Sequence, residues 1–179
     1  PHAPSIPVTI NGGYVMPAWY DIISLDTDSR QIDDAGIVAS RAAIRRLIGR
    51  EVARGVPAAR IFVAGFSQGG AVAYATALTH PEPLAGVIAL STYIPNPAWL
   101  AAEASAANKS TPIFAAHGNE DDVVSPELGT RARDLVQSLG HAVEWREYPM
   151  PHSVCMEEII DIGAWLRQRM AAIDHAESP

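Results

Sequence analysis

A serine flanked by glycines is the first feature of this sequence that could perform chemistry. Residues 65–69 read Gly-Phe-Ser-Gln-Gly, so Ser67 lies in a G-x-S-x-G pattern. An apolar run precedes the pattern and a helix-forming stretch follows it, which is the strand–turn–helix context of a nucleophile elbow. Such a turn strains the serine backbone and leaves no room for side chains two residues away on either side. The alternative is a glycine-rich turn that holds a serine incidentally.

The two partners that a nucleophilic serine requires follow it in the expected order. A serine hydroxyl needs a base to take its proton, and the base needs an acid to orient it. After an elbow of this kind the acid comes next in the chain and the histidine last. Asp121 and Asp122 follow one apolar segment, and His152 follows a later one. We therefore predict a triad of Ser67, one of the two aspartates and His152, and the pattern alone does not choose between the aspartates.

The remaining histidines and the single cysteine fit this chemistry less well. His117 precedes the aspartates, the wrong order for the base, so we interpret it as a partly buried structural histidine. Cys155 has no elbow and begins an amphipathic stretch, which favours a packed thiol over a nucleophile. No spacing resembles a zinc site or a phosphate-binding loop. The other histidines are expected at the surface or at the chain start: His2, His80, His141 and His175.

Four short apolar segments must position these groups. They are residues 61–66, 87–91, 113–116 and 143–148. The first three read as parallel strands covered on both faces, and the fourth alternates as an edge strand does. Helices are predicted at 32–56, 69–78, 97–107, 126–139 and 154–172, with residues 1–29 mostly loop. This alternation predicts a single α/β domain over residues 1–179, a parallel sheet with helices on both faces, whose reactive groups lie at the carboxyl ends of the strands.

Composition narrows the partners and the compartment. The 179 residues are 48% hydrophobic and 18% charged, typical of a globular protein, and the formal net charge is -7. Lys109 is the only lysine and the arginines form no basic patch, so we do not expect a nucleic-acid partner. One cysteine excludes an intrachain disulfide and suits a reducing compartment. No apolar run is long enough to span a membrane. We expect a cytoplasmic protein.

Several sequence blocks together resemble a known family. They include Pro-His-Ala-Pro at residues 1–4, Met-Pro-Ala-Trp-Tyr-Asp at 16–21, Gly-Phe-Ser-Gln-Gly-Gly at 65–70, and Tyr-Pro-Met-Pro-His-Ser at 148–153. His-Gly at 117–118, followed by Asp121, is a further block. These blocks run over nearly the whole chain and resemble the phospholipase/carboxylesterase family, which holds small bacterial carboxylesterases and acyl-protein thioesterases.

The resemblance implies a fold, an activity and a choice of acid. It implies an α/β-hydrolase that needs no cofactor or metal and cleaves esters or thioesters of small to medium acyl chains. In the family the acid is the fourth residue after the histidine of the His-Gly block, which selects Asp121, and the base corresponds to His152. The N–H of Gln68 is expected to bind the oxyanion. Apolar loop residues are candidates for an acyl pocket, with ordinary packing as the alternative for each: Met16, Trp19, Ile94 and Trp99.

The sequence departs from the family at its start. Family members carry a portion ahead of the Pro-His-Ala-Pro block that holds the first strands and a loop supplying a second oxyanion donor. Loss of one such donor typically costs about 10²–10³ in rate. Without those strands, residues 61–66 would form an exposed apolar edge that invites pairing with another chain. We expect that the chain is part of a longer polypeptide, with self-association through that edge as the alternative.

These observations together predict a serine hydrolase that cleaves small-molecule carboxylic esters through an acyl-enzyme. Two alternatives stay open. One is a thioesterase acting on acylated proteins, because it would use the same triad and an apolar groove. The other is a catalytically impaired, hydrolase-like binding module, because the loop with the second oxyanion donor is absent from this chain.

Overall fold

The computed structural model describes residues 1–24 and 33–176, and its first element is a hairpin. Strand β1 (Ser5–Val8) pairs antiparallel with β2 (Tyr14–Pro17). Gly12 and Gly13 close the turn at φ 64° and 78°, which glycine adopts without the steric cost of a side chain. The prediction that residues 1–29 are mostly loop is therefore wrong for this hairpin, because proline and glycine masked two very short strands; residues 25–29 lie outside the described part.

A four-stranded parallel sheet forms the centre of the protein. Its strands are β3 (Phe62–Phe66), β4 (Gly86–Leu90), β5 (Ile113–Gly118) and β6 (Val143–Tyr148). They lie in the order β3-β4-β5-β6, and each neighbouring pair is parallel. All four predicted strands are confirmed to within two residues at either end. The alternating pattern of β6 correctly indicated an edge strand.

Five α-helices lie within the described residues. They are α1 (Asp34–Ala53), α2 (Gln68–Ala77), α3 (Pro97–Glu103), α4 (Pro126–Ser138) and α5 (Met156–Ala176). Helix α3 ends four residues before the prediction, because Ala104 takes an extended conformation at ψ 125°. Helix α5 begins two residues later than predicted and ends four residues later than predicted. The first residue of the predicted 32–56 helix lies outside the described part.

Side chains that alternate along the strands build two cores. On one face, residues of β3, β4 and β5 pack against α2 and α4, with Tyr74 and Val136 both buried. On the other face, Ile88, Phe114 and Ala116 pack against Trp165 of α5. Near-continuous apolar strands are therefore covered on both sides, which confirms the predicted α/β class.

The two outer strands of the sheet differ in their surroundings. Within the described residues β3 pairs with β4 alone, so the predicted open edge at residues 61–66 is confirmed. A trough of about 610 Å³ runs along this edge, lined by apolar side chains that include Ile44, Leu47, Ile61 and Phe62. No helix of the described chain combines the length and apolar character needed to cross a membrane.

Two histidines expected at the surface are buried. His80 is 5% exposed, and its Nδ1 accepts the Glu82 N–H at 3.2 Å. His141 is 7% exposed and its Nδ1 lies 3.4 Å from the Thr111 carbonyl oxygen. Burial lowers the pKa of His141. The prediction was wrong because each ring pairs with a backbone group, near in the chain for His80 and 30 residues away for His141, and such pairing allows a polar side chain to be buried.

Candidate active site

The turn after β3 has the conformation of a nucleophile elbow. Ser67 has φ 55° and ψ −124°, a strained backbone for a residue that carries a Cβ. Its N–H donates to the Leu90 carbonyl at 2.9 Å, and its own carbonyl accepts the Thr92 hydroxyl at 2.6 Å. These two bonds tie the elbow to the end of β4, which stabilises the strained residue. Thr92 was not identified from the sequence, and no local pattern marks it.

The glycines around Ser67 have unequal roles. A Cβ on Gly65 would lie 2.1 Å from the Gly69 backbone, so this position requires glycine, as predicted. A Cβ on Gly69 would approach nothing closer than Trp19 Nε1, at 3.6 Å, so the predicted collision there is absent among the described residues. Gly70 is the second tight position, because a Cβ there would lie 2.6 Å from Thr92. The second position at which a side chain would collide is therefore Gly70 and not Gly69.

Gln68 is the first residue of helix α2, and it contributes to the site both through its backbone N–H and through its side-chain amide. Its N–H is among the first of the helix, which have no acceptor within the helix and point out of its positive end. Its side-chain oxygen accepts the Trp19 N–H at 3.0 Å, and its side-chain nitrogen donates to the Tyr20 carbonyl at 2.9 Å. The amide thus holds the segment after β2 against the elbow. The sequence provides no signal for this contact, which spans 48 residues.

Asp121 lies in the turn after β5 and is fully engaged by hydrogen-bond donors. Its Oδ1 accepts the backbone N–H groups of Val123 at 3.0 Å and Val124 at 2.8 Å. Its Oδ2 accepts from His152 Nδ1 at 2.7 Å. Asp121 is 5% exposed, whereas Asp122 points to solvent. The choice of Asp121 over Asp122 thus agrees with its contact to a histidine.

His152 lies in the loop between β6 and α5, beside the elbow. Its ring centroid is 4.6 Å from that of Phe66, the residue before Ser67. The loop is held against the end of β5, since a Cβ on Gly118 would lie 2.3 Å from the Met150 carbonyl oxygen. No hydrogen bond joins Ser67 Oγ to His152 within the described chain; in free enzymes such bonds are often long and close only when substrate binds.

The four candidates for an acyl pocket are not gathered in one cavity. Trp19 lines the trough beside β3, while Ile94 and Trp99 line a separate narrow crevice next to Ile37. The Arg41 guanidinium also lies over the Trp99 ring, 4.7 Å from its centroid. Met16, on β2, pairs with Ile6 in the hairpin. A role for any of these residues in binding substrate stays a prediction.

A buried carboxylate that the sequence did not reveal lies at the start of α5, which follows the histidine loop in the chain. Glu158, in the first turn of α5, is 0% exposed, and neither carboxylate oxygen has a hydrogen-bond partner in the described chain. Burial raises its pKa from 4.5 to about 7. Nearby, the Tyr148 hydroxyl donates to Asp161 at 2.8 Å. The pKa of Tyr148 is raised mainly by burial and, to a lesser extent, by this hydrogen bond. Nothing in the sequence indicates that Glu158 is buried, because it lies in an acidic helix start next to Glu157.

Comparisons with known proteins agree with this architecture. The family model described as phospholipase/carboxylesterase matches residues 1–170, nearly the whole chain. The chain belongs to this family. Acyl-protein thioesterase 1 from Neurospora crassa is 44% identical, covering 97% of this chain and 74% of the relative. A probable carboxylesterase from Oryza sativa is 36% identical over 99% of this chain and 68% of that protein.

A solved structure has the same fold. The crystal structure of Arabidopsis thaliana SOBER1 superposes with a TM-score of 0.90 at 31% identity, covering 95% of this chain and 82% of that one. The chain therefore has the α/β-hydrolase fold. Family membership makes it a hydrolase of the esterase or thioesterase type.

Proposed function

We propose that this protein is a serine hydrolase that cleaves carboxylic esters of short to medium acyl chains, with Ser67, Asp121 and His152 as its triad. The observation that carries the proposal is the 2.7 Å bond from His152 Nδ1 to buried Asp121, beside a serine held at φ 55°. Three residues far apart in the chain follow the carboxyl ends of three strands of one parallel sheet. Packing alone requires neither the strain at Ser67 nor the Asp–His bond.

The proposed reaction proceeds in two steps. In the first, Ser67 Oγ attacks the ester carbonyl while His152 Nε2 takes its proton and then delivers it to the leaving alcohol. Asp121 keeps the hydrogen of the imidazole on Nδ1 and stabilises the imidazolium. In the second step, His152 activates a water that attacks the acyl-enzyme and releases the acid. Each step develops negative charge on the carbonyl oxygen, and the Gln68 N–H at the start of α2 stabilises it.

A thioester substrate is the second candidate, and the Neurospora crassa relative favours it. That protein is named an acyl-protein thioesterase and is 44% identical to this chain. The triad chemistry is common to both substrates, because only the leaving group changes from an alcohol to a thiol. Comparing kcat/KM for a short p-nitrophenyl ester with that for an acyl-thioester of the same acyl length separates the two candidates.

The decisive test is hydrolysis of a short p-nitrophenyl ester by the protein and by its Ser67→Ala variant. We expect turnover that falls by about 10⁶ in the variant, as in other triad enzymes. Ser138→Ala, at an exposed serine of α4, is the control and should match the unmodified protein. A fluorophosphonate probe should label the protein and the control variant but not Ser67→Ala.

Two results would contradict the proposal. Equal turnover by Ser67→Ala would exclude Ser67 as the nucleophile. A folded protein that neither turns over ester or thioester nor reacts with the probe would favour the alternative of a hydrolase-like binding module.

A further inference from the structure

The buried imidazole of His117 lies beside the proposed triad and takes no part in the proposed reaction. His117, the residue before the last one of strand β5, is 1% exposed. Its ring lies against helix α4 at Gly129, where a Cβ would be 2.3 Å from His117 Nδ1. The imidazole thus occupies the space that a side chain at position 129 would take. Its centroid is 6.3 Å from that of Trp145 on β6, so the ring is enclosed by two strands and a helix.

The surroundings of this ring determine which nitrogen carries its hydrogen. His117 Nε2 lies 2.9 Å from the Val124 carbonyl oxygen, which can only accept, so Nε2 must be the donor. Nδ1 is buried and has no hydrogen-bond partner in the described chain. A hydrogen on Nδ1 would be a buried donor without an acceptor, which is costly. The ring therefore carries its hydrogen on Nε2 and leaves Nδ1 bare.

The same Nε2 also lies close to the proposed triad acid. This nitrogen lies 3.4 Å from Asp121 Oδ2, the oxygen that accepts from His152. This separation is longer than a good hydrogen bond, so the contact is electrostatic, between an N–H dipole and a carboxylate shielded from water. His117 also holds Val124 through its carbonyl, and the Val124 N–H in turn donates to Asp121 Oδ1. The ring thus acts on both carboxylate oxygens, on Oδ2 through this electrostatic contact and on Oδ1 through the hydrogen-bonded turn at Val124.

We propose that His117 is a positioning residue for Asp121, fixing the carboxylate so that His152 keeps one orientation and tautomer. The proposal rests on the proposed function, since it assigns a role within that triad. His117 itself touches no reacting atom. The alternative is a histidine that only fills space next to Gly129, and that alternative predicts a loss of stability without a change at His152.

Three variants and one control test this proposal by kinetics on a short p-nitrophenyl ester. His117→Leu fills the space but removes the donor, and kcat per fluorophosphonate-titrated site should fall about tenfold or more with KM unchanged. His117→Gln restores an N–H at similar reach and should recover most of kcat. Gly129→Ala should reproduce the loss by displacing the ring. The control His141→Leu removes another buried histidine, bonded to Thr111 away from the triad, and should lower stability without lowering kcat per titrated site.

An imidazole NMR measurement tests the proposal independently of turnover. Long-range ¹H–¹⁵N spectra should show the His117 hydrogen on Nε2 with Nδ1 bare. The strongly downfield His152 Nδ1–H resonance, characteristic of a bond to a carboxylate, should be lost or shifted in His117→Leu and retained in His117→Gln and His141→Leu. A hydrogen on His117 Nδ1, or an unchanged His152 resonance in folded His117→Leu, would overturn the role. If the unmodified protein shows no turnover, the proposed function fails, and this spectrum alone decides the positioning.

Discussion

The two halves of the candidate site are held in place by different means. The acid–base half, at the ends of β5 and β6, is a network in which Asp121 accepts two backbone N–H groups and the His152 ring nitrogen. The nucleophile half, at the end of β3, relies on backbone conformation, with Ser67 at φ 55° and a glycine where any side chain would collide. Hydrogen bonds to a side-chain carboxylate hold the first half, whereas the second half combines two hydrogen bonds of the Ser67 backbone with steric exclusion around the turn.

The two halves also differ in what covers them. Asp121 is buried between β5, α4 and the histidine loop, whereas β3 has a partner strand on one side only within the described residues. Ala64, in the middle of β3, is exposed to solvent. The acid–base half is therefore organised by the described chain itself, while the outer side of the nucleophile half is open along the trough.

The largest effect should come from breaking the acid–base network at its centre. Asp121→Asn keeps the shape but removes the charge and replaces an acceptor by a donor, so the imidazole is held in the wrong tautomer. We expect kcat for a p-nitrophenyl ester to fall about 10⁴-fold. Asp122→Asn changes the same chemical group at the exposed neighbour and should leave kcat within about twofold. Similar losses in both variants would contradict the selection of Asp121.

A smaller effect should arise from Glu158, a buried acid whose two carboxylate oxygens have no hydrogen-bond partner in the described chain. Because burial raises its pKa to about 7, its ionised form is disfavoured in the fold. The free energy of unfolding should therefore fall as the pH rises from about 4.5 to about 7, by about 3 kcal/mol. Below pH 4.5 the group is protonated in both states and contributes no pH dependence.

Glu158→Gln mimics the protonated acid and isolates this contribution. In urea unfolding the variant should be more stable than the unmodified protein at pH 8 by about 3 kcal/mol, with the difference vanishing near pH 4. The exposed neighbour provides the control, since Glu157→Gln should show little difference at either pH. A stability gain that does not change with pH would indicate that ionisation of Glu158 is not its cause.

The smallest of the three effects concerns steric exclusion at the elbow. Gly65→Ala places a methyl group 2.1 Å from the Gly69 backbone, so the turn must shift, and we expect a loss of about 1–3 kcal/mol in the free energy of unfolding. Gly69→Ala meets no close atom and replaces a glycine within a helix, so stability should be unchanged or raised by up to about 1 kcal/mol. Equal destabilisation by the two substitutions would show that the second glycine of the pattern is sterically required as well.

Much of the fold and the candidate site was predictable from local pattern. Apolar runs bounded by turns located β3, β4 and β5 to within two residues, because a strand buried on both faces is apolar along its length. The alternating run located the edge strand β6. The order of Ser67, Asp121 and His152 was readable because each follows a strand whose carboxyl end lies at one edge of the sheet. The N-terminal hairpin was not predicted. Its two strands have four residues each, which is too short for an alternating pattern to be recognised among prolines and glycines.

Local chemistry in the chain therefore specified which residue types follow which strands, the glycine at position 65 and the parallel class of the sheet. Contacts between distant segments decided the rest. Gln68 reaches Trp19 across 49 residues, and His152 reaches Asp121 across 31. Whether His117 and Glu158 are buried, and which of their polar atoms find partners, depends on helices that pack over them from elsewhere in the chain. Burial and pairing of this kind are properties of the assembled surfaces, because desolvation is decided by every element that excludes water from the group.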